Sequence, residues 1–149
     1  MKTLFPPLSI PPAQLSIAKK GDQFVVWCVV RKKHLVLTPE EWVRQHVVHF
    51  LINERHIALP RINTEHLLRI NGQNRRCDVL VVDGFGKPIL IVECKAATVA
   101  LDEKTLLQIS NYAQATNVPY LWMTNGIDHY IIDTKNPSEL LESFPSLNQ

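Results

Sequence analysis

Two carboxylates and one ammonium group stand at the ends of two consecutive apolar segments. Asp78 precedes the apolar run 79–82, and Glu93 and Lys95 follow the apolar run 89–92. Two β-branched runs joined by a short turn with two glycines predict an antiparallel hairpin. The start of the first strand of a hairpin lies beside the end of the second, so we expect Asp78 to lie next to Glu93.

The alternation of side chains along the second strand assigns these groups to its two faces. Glu93 and Lys95 share one face, and Cys94 lies on the other with Leu90 and Val92. Two adjacent carboxylates repel each other unless a cation lies between them, and carboxylate oxygens suit Mg²⁺ or Mn²⁺. A lysine beside such an ion is suited to positioning or deprotonating a water, or to neutralising phosphate charge.

The composition is that of an ordinary globular domain. The chain has 149 residues, 46% of them hydrophobic and 20% charged, which is enough for one domain with a core. The net charge of +2 gives little general attraction to nucleic acid, so such a function requires local basic patches. Three cysteines without a C-x-x-C pair argue against a disulfide framework or structural zinc and favour small buried thiols.

The hydrophobic pattern indicates neither a signal peptide nor a membrane span. Four prolines interrupt the first twelve residues, and no apolar stretch approaches the ~20 residues that a membrane helix needs. We therefore expect a cytoplasmic protein with no membrane partner.

The first third of the chain predicts a hairpin and a helix. Residues 1–12 are expected to be an extended surface segment, followed by a hairpin with strands 24–30 and 34–37. Its basic tip, Arg31–Lys33, either contacts phosphates or is a solvated turn. A helix begins after Thr38 as N-cap, with a capping box to Glu41, and continues to about residue 54 or 55.

Two glutamates in the first turn of that helix are further candidates for the site. On a helical wheel Glu40 falls near the apolar stripe, and Glu41 lies toward the side. Either one reaches the site across the sheet, or Glu41 serves as a cap and Glu40 as a helix-dipole charge.

The remainder alternates strands and helices. Strands are expected at 64–70, 120–124 and 129–133, a helix at 101–116, and a short helical segment at 137–144 before a disordered end. A crossover helix normally joins parallel strands, so we expect a mixed sheet covered by helices in a single domain, 1–149. Its parts are the lead-in and hairpin 1–37, the core 38–133 and the tail 134–149.

Several segments together resemble the PD-(D/E)XK nuclease superfamily and, within it, the type I restriction enzyme R protein N-terminal domain family. The matching segments are TPEEWVRQ at 38–45, RRCDVLVVD at 75–83, ILIVECKA at 89–96, QISNY at 108–112 and VPYLWMTNG at 118–126. The resemblance implies a restriction-endonuclease-like α/β fold. Cys77 stands where the superfamily often has proline.

The resemblance also implies roles for individual residues. Asp78, Glu93 and the backbone carbonyl of Cys94 would bind the metal, and Lys95 would be the catalytic lysine. Glu40 or Glu41 would be the acidic residue of the first helix.

Further positions match the family pattern around the site. Gln108 and Tyr112 correspond to a Q-x-x-x-Y motif that borders the site. Arg44 and Gln45 also match, and spacing alone assigns them no role.

Two functions follow as hypotheses. The first is a Mg²⁺- or Mn²⁺-dependent nuclease that hydrolyses phosphodiester bonds, with DNA as the expected substrate. Its candidate nucleic-acid contacts are Arg31, Lys32, Lys33, Arg69, Arg75, Arg76 and Tyr112. The second is a catalytically silent nuclease-like module that binds nucleic acid or protein as a homodimer or as a subunit of a larger complex. The modest net charge, and the lack of a P-loop motif that would indicate a motor in these 149 residues, motivate the second.

Overall fold

The computed structural model describes residues 5–70 and 73–147, with the backbone alone described at residues 66, 68–70, 73 and 75. Within this part of the chain lie eight strands, two α-helices and one 3₁₀ turn. They are β1 (Ile17–Lys20), β2 (Gln23–Cys28), β3 (Lys33–Val36), α1 (Pro39–Asn53), the 3₁₀ turn Leu59–Arg61, β4 (Ile62–Ile70), β5 (Gln73–Val82), β6 (Pro88–Cys94), α2 (Glu103–Ala115), β7 (Tyr120–Thr124) and β8 (His129–Asp133).

The main sheet has five strands in the order β4-β5-β6-β7-β8. All of its pairings are antiparallel except β6–β7, which is parallel and is connected through α2. The predicted α/β class with a mixed sheet and flanking helices is therefore confirmed.

Two apolar layers cover the two faces of the main sheet. Val43, Val47 and Leu51 of α1 belong to a buried cluster with Leu90, Val92 and Cys94 of β6, while Ile91 lies in the other cluster, with Leu106, Ile109 and Ala113 of α2. Successive residues of β6 thus face opposite helices, as the period-2 pattern predicted.

The N-terminal hairpin is larger than predicted. The structure adds a third strand, β1, so that β1, β2 and β3 form an antiparallel sheet of residues 17–36, the N-terminal sheet. Every residue of β1 is exposed. A strand without a buried face shows no alternation of hydrophobicity, which is why sequence analysis missed it.

The C-terminal segment also differs from the prediction. The expected helix at 137–144 is absent from the described chain, which forms turns and bends there. Leu140 instead bridges to Ile132, the Phe144 ring packs on Phe50 and Trp122, and Leu147 is buried. Tertiary packing therefore orders the tail as far as Leu147, where disorder was expected.

Within the described residues, neither helix is long and apolar enough to cross a membrane.

The extended segment before β1 packs onto the rest of the domain. Ile10 is buried, and the indole Nε1 of Trp42 donates a hydrogen bond of 2.9 Å to the carbonyl of Pro6. The amide of Ser9 donates to the carbonyl of Gly126 at 2.8 Å. Residues of this segment thus fix the turn between β7 and β8.

We predict that Gly126→Ala destabilises the protein. Gly126 has φ of +87°, and an added Cβ would lie 2.7 Å from a methyl group of Leu8. The positive φ alone costs about 1 kcal/mol in a non-glycine residue, which corresponds to a fall in Tm of roughly 3 °C for a chain of this size. Gly84→Ala is the matched control, because a Cβ there meets open space. Equal Tm values for the two variants would contradict this account.

A neutral histidine connects the same turn to the lead-in. Thr124 Oγ1 accepts the Gly126 amide and lies 2.7 Å from Nδ1 of His129, and the Trp122 indole donates to the same Nδ1 at 3.2 Å. An indole N–H is only a donor, so Nδ1 must be unprotonated. The proton then lies on Nε2, which is 2.7 Å from Ser9 Oγ.

We predict that His129→Asn costs less stability in acid than at neutral pH. Burial lowers the pKa of His129, so the unfolded chain takes up a proton first and the histidine's contribution is lost as the pH falls below about 6.5. The difference in unfolding free energy between wild type and variant should shrink between about pH 7.5 and 5.5. Urea unfolding measures it, with the exposed His34→Asn as control. If the difference in unfolding free energy does not change with pH, the assignment of His129 as neutral in the folded protein is wrong.

Candidate functional site

Arg44 of α1 lies at the centre of a group of carboxylates. Its Nη1 donates to Oε1 of Glu41 at 2.5 Å, and its Nη2 lies 3.1 Å from Oε1 of Glu40 and 3.0 Å from Oδ1 of Asp78. Arg44 is 8% exposed. The neighbouring Glu41 and Asp78 raise the pKa of Arg44 despite its burial, so the guanidinium remains charged. One cation therefore ties the first turn of α1 to β5.

Asp78 is held from two directions. Its Oδ1 accepts from Arg44, and its Oδ2 accepts the backbone N–H of Cys94 at 2.8 Å. The hydrogen bond to Cys94 connects the middle of β5 with the last residue of β6, which directly follows the Glu93 that the hairpin prediction placed beside Asp78.

The two glutamates of α1 occupy different environments. Glu41 is 5% exposed, and its Oε2 accepts from Nε2 of the buried Gln45 at 2.8 Å. The helical wheel had placed Glu40 nearer the core, and in this respect it was wrong. Thr38 caps the Glu41 amide as predicted, but the Glu41 carboxylate bonds Arg44 and Gln45, so the reciprocal half of the capping box is replaced.

Glu40 is partly exposed, and the charges of several neighbouring residues act on it. Its pKa is raised by partial burial and by the charge of Asp78, and this effect is opposed by Arg44 and Lys95. The ammonium group of Lys95 is therefore close enough to Glu40 to act on it electrostatically.

Cys94 and Glu93 complete the arrangement at the carboxyl end of β6. Burial and the charge of Asp78 raise the pKa of the Cys94 thiol, with smaller effects of Glu93 and Glu40 in the same direction. Glu93 is 8% exposed. The amide of Lys95 donates to the carbonyl of Thr124 at 2.8 Å, so the parallel ladder extends one residue beyond β6. The charges of Asp78, Glu93 and Glu40 therefore act on the Cys94 thiol, and the Cys94 amide binds Asp78.

The remaining predicted residues lie farther out. Gln108 is exposed on α2, and Tyr112 is half-buried against the core on that side. Arg76 is exposed on β5 opposite Leu67, whereas the side chain of Arg75 lies outside the described atoms. The described hydrogen bonds and ion pairs of Gln108 and Arg76 include none to the carboxylate cluster, so their roles remain predictions.

The donor chemistry fits a hard divalent cation. Asp78 and Glu93 would supply carboxylate oxygens, and the Cys94 carbonyl directly follows Glu93 in sequence. Among the described residues, no three acidic, histidine or cysteine side chains are arranged as a ready metal site. Arg44 already neutralises Asp78, so a metal ion at this carboxylate would compete with the guanidinium group.

The sequence matches a known protein family. The family described as Type I restriction enzyme R protein N terminus (HSDR_N) matches residues 39–147, well over half of the chain. The chain belongs to this family. Among curated proteins, no sequence gives a significant match.

The HSDR_N match begins with the first residue of α1 and ends with the buried Leu147. It therefore includes all of the residues of the carboxylate cluster. The N-terminal sheet lies before the matched region.

Arg44 is the residue that sequence analysis left without a role. The spacing from Glu41 and Glu40 to Arg44 is i,i+3 and i,i+4, which predicts ion pairs within one helix. Its bond to Asp78, 34 residues away, depends on how α1 packs on the sheet, and a single sequence does not show that packing.

We predict that Arg44→Met lowers the free energy of unfolding by about 3–5 kcal/mol near neutral pH, since it leaves buried carboxylates without a counter-charge. Chemical denaturation measures this loss. Arg55→Met, which removes an arginine that stacks on Phe144, is the control. An Arg44→Met protein as stable as wild type at pH 8 would show that the cluster needs no cation.

Proposed function

We propose that this protein is a metal-dependent nuclease that hydrolyses phosphodiester bonds of DNA. The observation that carries the proposal is the charged group at this end of the sheet: Asp78 binds Arg44 and the Cys94 amide, and Glu40 lies in the field of Asp78 and Lys95. The D-x(n)-E-x-K spacing on two adjacent strands and membership of the HSDR_N family support it.

Asp78, Glu93 and the carbonyl of Cys94 would hold Mg²⁺ or Mn²⁺. Such an ion, when bound, polarises a phosphate oxygen and lowers the pKa of a bound water. Arg44 would have to release Asp78 while retaining Glu41, which keeps the guanidinium group in place beside the site.

The other residues would act on water and substrate. Lys95 would orient the attacking water through its ammonium group and offset the charge that develops on the phosphate. Glu40, whose raised pKa makes it a better proton acceptor than an ordinary glutamate, would take a proton from that water. Gln108 and Tyr112 would border the substrate from α2, and Arg75 and Arg76 would contact phosphates from β5.

A second candidate is a nuclease-like binding module without turnover. The observation that favours it is that Arg44 already satisfies Asp78 and Glu41. Under this candidate the domain would act in the cytoplasm as a homodimer or as a subunit of a larger DNA-handling complex, and the ion pairs would be permanent.

We predict that the purified protein nicks or cuts DNA with Mn²⁺ or Mg²⁺, and that Asp78→Asn and Lys95→Ala each reduce the rate by about 100-fold or more. Gel electrophoresis of a supercoiled plasmid measures nicking. The charge-matched controls are Glu139→Gln and Lys104→Ala, two exposed residues in the C-terminal segment and on α2.

Metal binding separates the two candidates. A metal ion at about 100 times its Kd should stabilise the wild type by roughly 2.7 kcal/mol, and Asp78→Asn should abolish the accompanying rise in Tm. Equal nicking by wild type, Asp78→Asn and Lys95→Ala would refute the nuclease. The absence of both cleavage and a metal-dependent Tm shift would favour the binding module.

A further inference from the structure

The positive charge of the chain is concentrated in the N-terminal sheet. Residues 17–36 carry five lysine and arginine side chains and one aspartate, a formal net charge of +4. The whole chain carries +2, so all other residues together sum to −2. The local basic patch that a nucleic-acid function requires therefore lies in twenty residues that precede the HSDR_N match.

These basic side chains are exposed and are available to a partner. Lys19, Lys20, Lys32 and Lys33 are exposed, and none of them forms an ion pair with a described residue. Arg31 is the exception, since it pairs with Glu65 of β4. Unpaired lysines on a small sheet attract a polyanion and add little to folding.

The two faces of the N-terminal sheet differ. Val26 and Cys28 are fully buried and mark the covered face. Register places Lys20, Trp27, His34 and Val36 on the opposite face. Trp27 is 36% exposed, with its ring packed edge-on against His34 at 5.1 Å, and Val36 is 47% exposed. The same register puts the buried Val25 on this face, and Lys19 and Lys33 on the side of Val26 and Cys28. The aromatic and apolar surface around Trp27 therefore has Lys20 at one end and the basic turn 31–33 at the other.

This sheet is also connected to the main sheet near Asp78. Thr64 pairs with Val79 and His66 with Cys77, so Glu65 lies in the part of β4 that runs beside Asp78. The Arg31–Glu65 ion pair therefore ties the basic turn 31–33 to β4, the neighbour of β5 in the main sheet. A strand of nucleic acid on the sheet would run toward the proposed site.

We infer that the exposed face of the N-terminal sheet binds single-stranded DNA and leads it to the carboxylate cluster. The lysines would contact phosphates, and Trp27 would stack on an unpaired base. Duplex DNA presents phosphates and sugars on its outside, which would leave Trp27 and Val36 without a matching surface. The inference deepens the proposed nuclease function by naming its substrate surface, but the binding itself does not require cleavage.

The test measures DNA binding in the absence of metal ions. Fluorescence anisotropy in EDTA would compare a labelled oligothymidine of about 15 nucleotides with a duplex of the same length over roughly 20–200 mM salt. The wild type should prefer the single strand. Neutralising Lys20, Lys32 and Lys33 to Gln should reduce the slope of log K against log salt by roughly 2, at ~0.7 per lost phosphate contact.

Matched variants distinguish DNA binding at the N-terminal sheet from a general effect of positive charge. The control triple Lys87, Lys104 and Lys135 to Gln removes the same charge from exposed positions elsewhere and should leave the slope unchanged. Trp27→Ala should weaken binding of the single strand at least about fivefold with an unchanged slope. Phe24→Ala, an exposed aromatic residue on the other face of β2, should have little effect.

Three outcomes would overturn the inference: equal loss of slope in both lysine triples, equal affinity of Trp27→Ala and wild type, or duplex binding as tight as single-strand binding. If Asp78→Asn loses cleavage but still binds single-stranded DNA as the wild type does, the inference is unaffected. If the protein binds single-stranded DNA through the N-terminal sheet but never cleaves DNA, the proposed nuclease function is refuted and the inferred binding surface is supported.

Discussion

One buried guanidinium group holds the carboxylates of this domain together. Glu41 and Asp78 come from elements far apart in sequence, and the guanidinium group of Arg44 binds both, which offsets the repulsion between their charges. Arg44 cannot give up its proton in this setting, so the ion pairs persist across the physiological pH range. The first turn of α1 and the middle of β5 are consequently held in one position relative to each other.

The sheet supplies the rest of the geometry. β5 and β6 are antiparallel, and β6 and β7 are parallel. The Asp78 carboxylate accepts the Cys94 amide, and the Lys95 amide donates to the Thr124 carbonyl. Because both donors are main-chain amides at the end of β6, strand pairing positions these contacts. The Cys94 side chain itself is inert, since its thiol is buried and its pKa is raised.

Local signals in the sequence predicted most of the main fold. β7 and β8 have the bounds that their apolar runs and the intervening Asn125-Gly126 turn indicated, and α2 is within two residues of its predicted ends. The hairpin geometry likewise brought Asp78 to the end of β6. What the sequence could not show depended on tertiary contacts: the fully exposed β1, and the tail ordered by Phe144 and Leu147. The same limit applied to Arg44, because no local pattern reveals which strand a helix residue will reach.

The joint between the N-terminal sheet and α1 has a practical consequence. Two residues separate them, and both are engaged: the Leu37 amide donates to the Phe24 carbonyl, and the Thr38 hydroxyl accepts the Glu41 amide. A fragment cut where the family match begins, at Pro39, would lose the N-cap of α1 and expose the buried Val43 side of the helix to fraying. The limit of sequence similarity is therefore not a limit of independent folding, and expression fragments should begin upstream of β1.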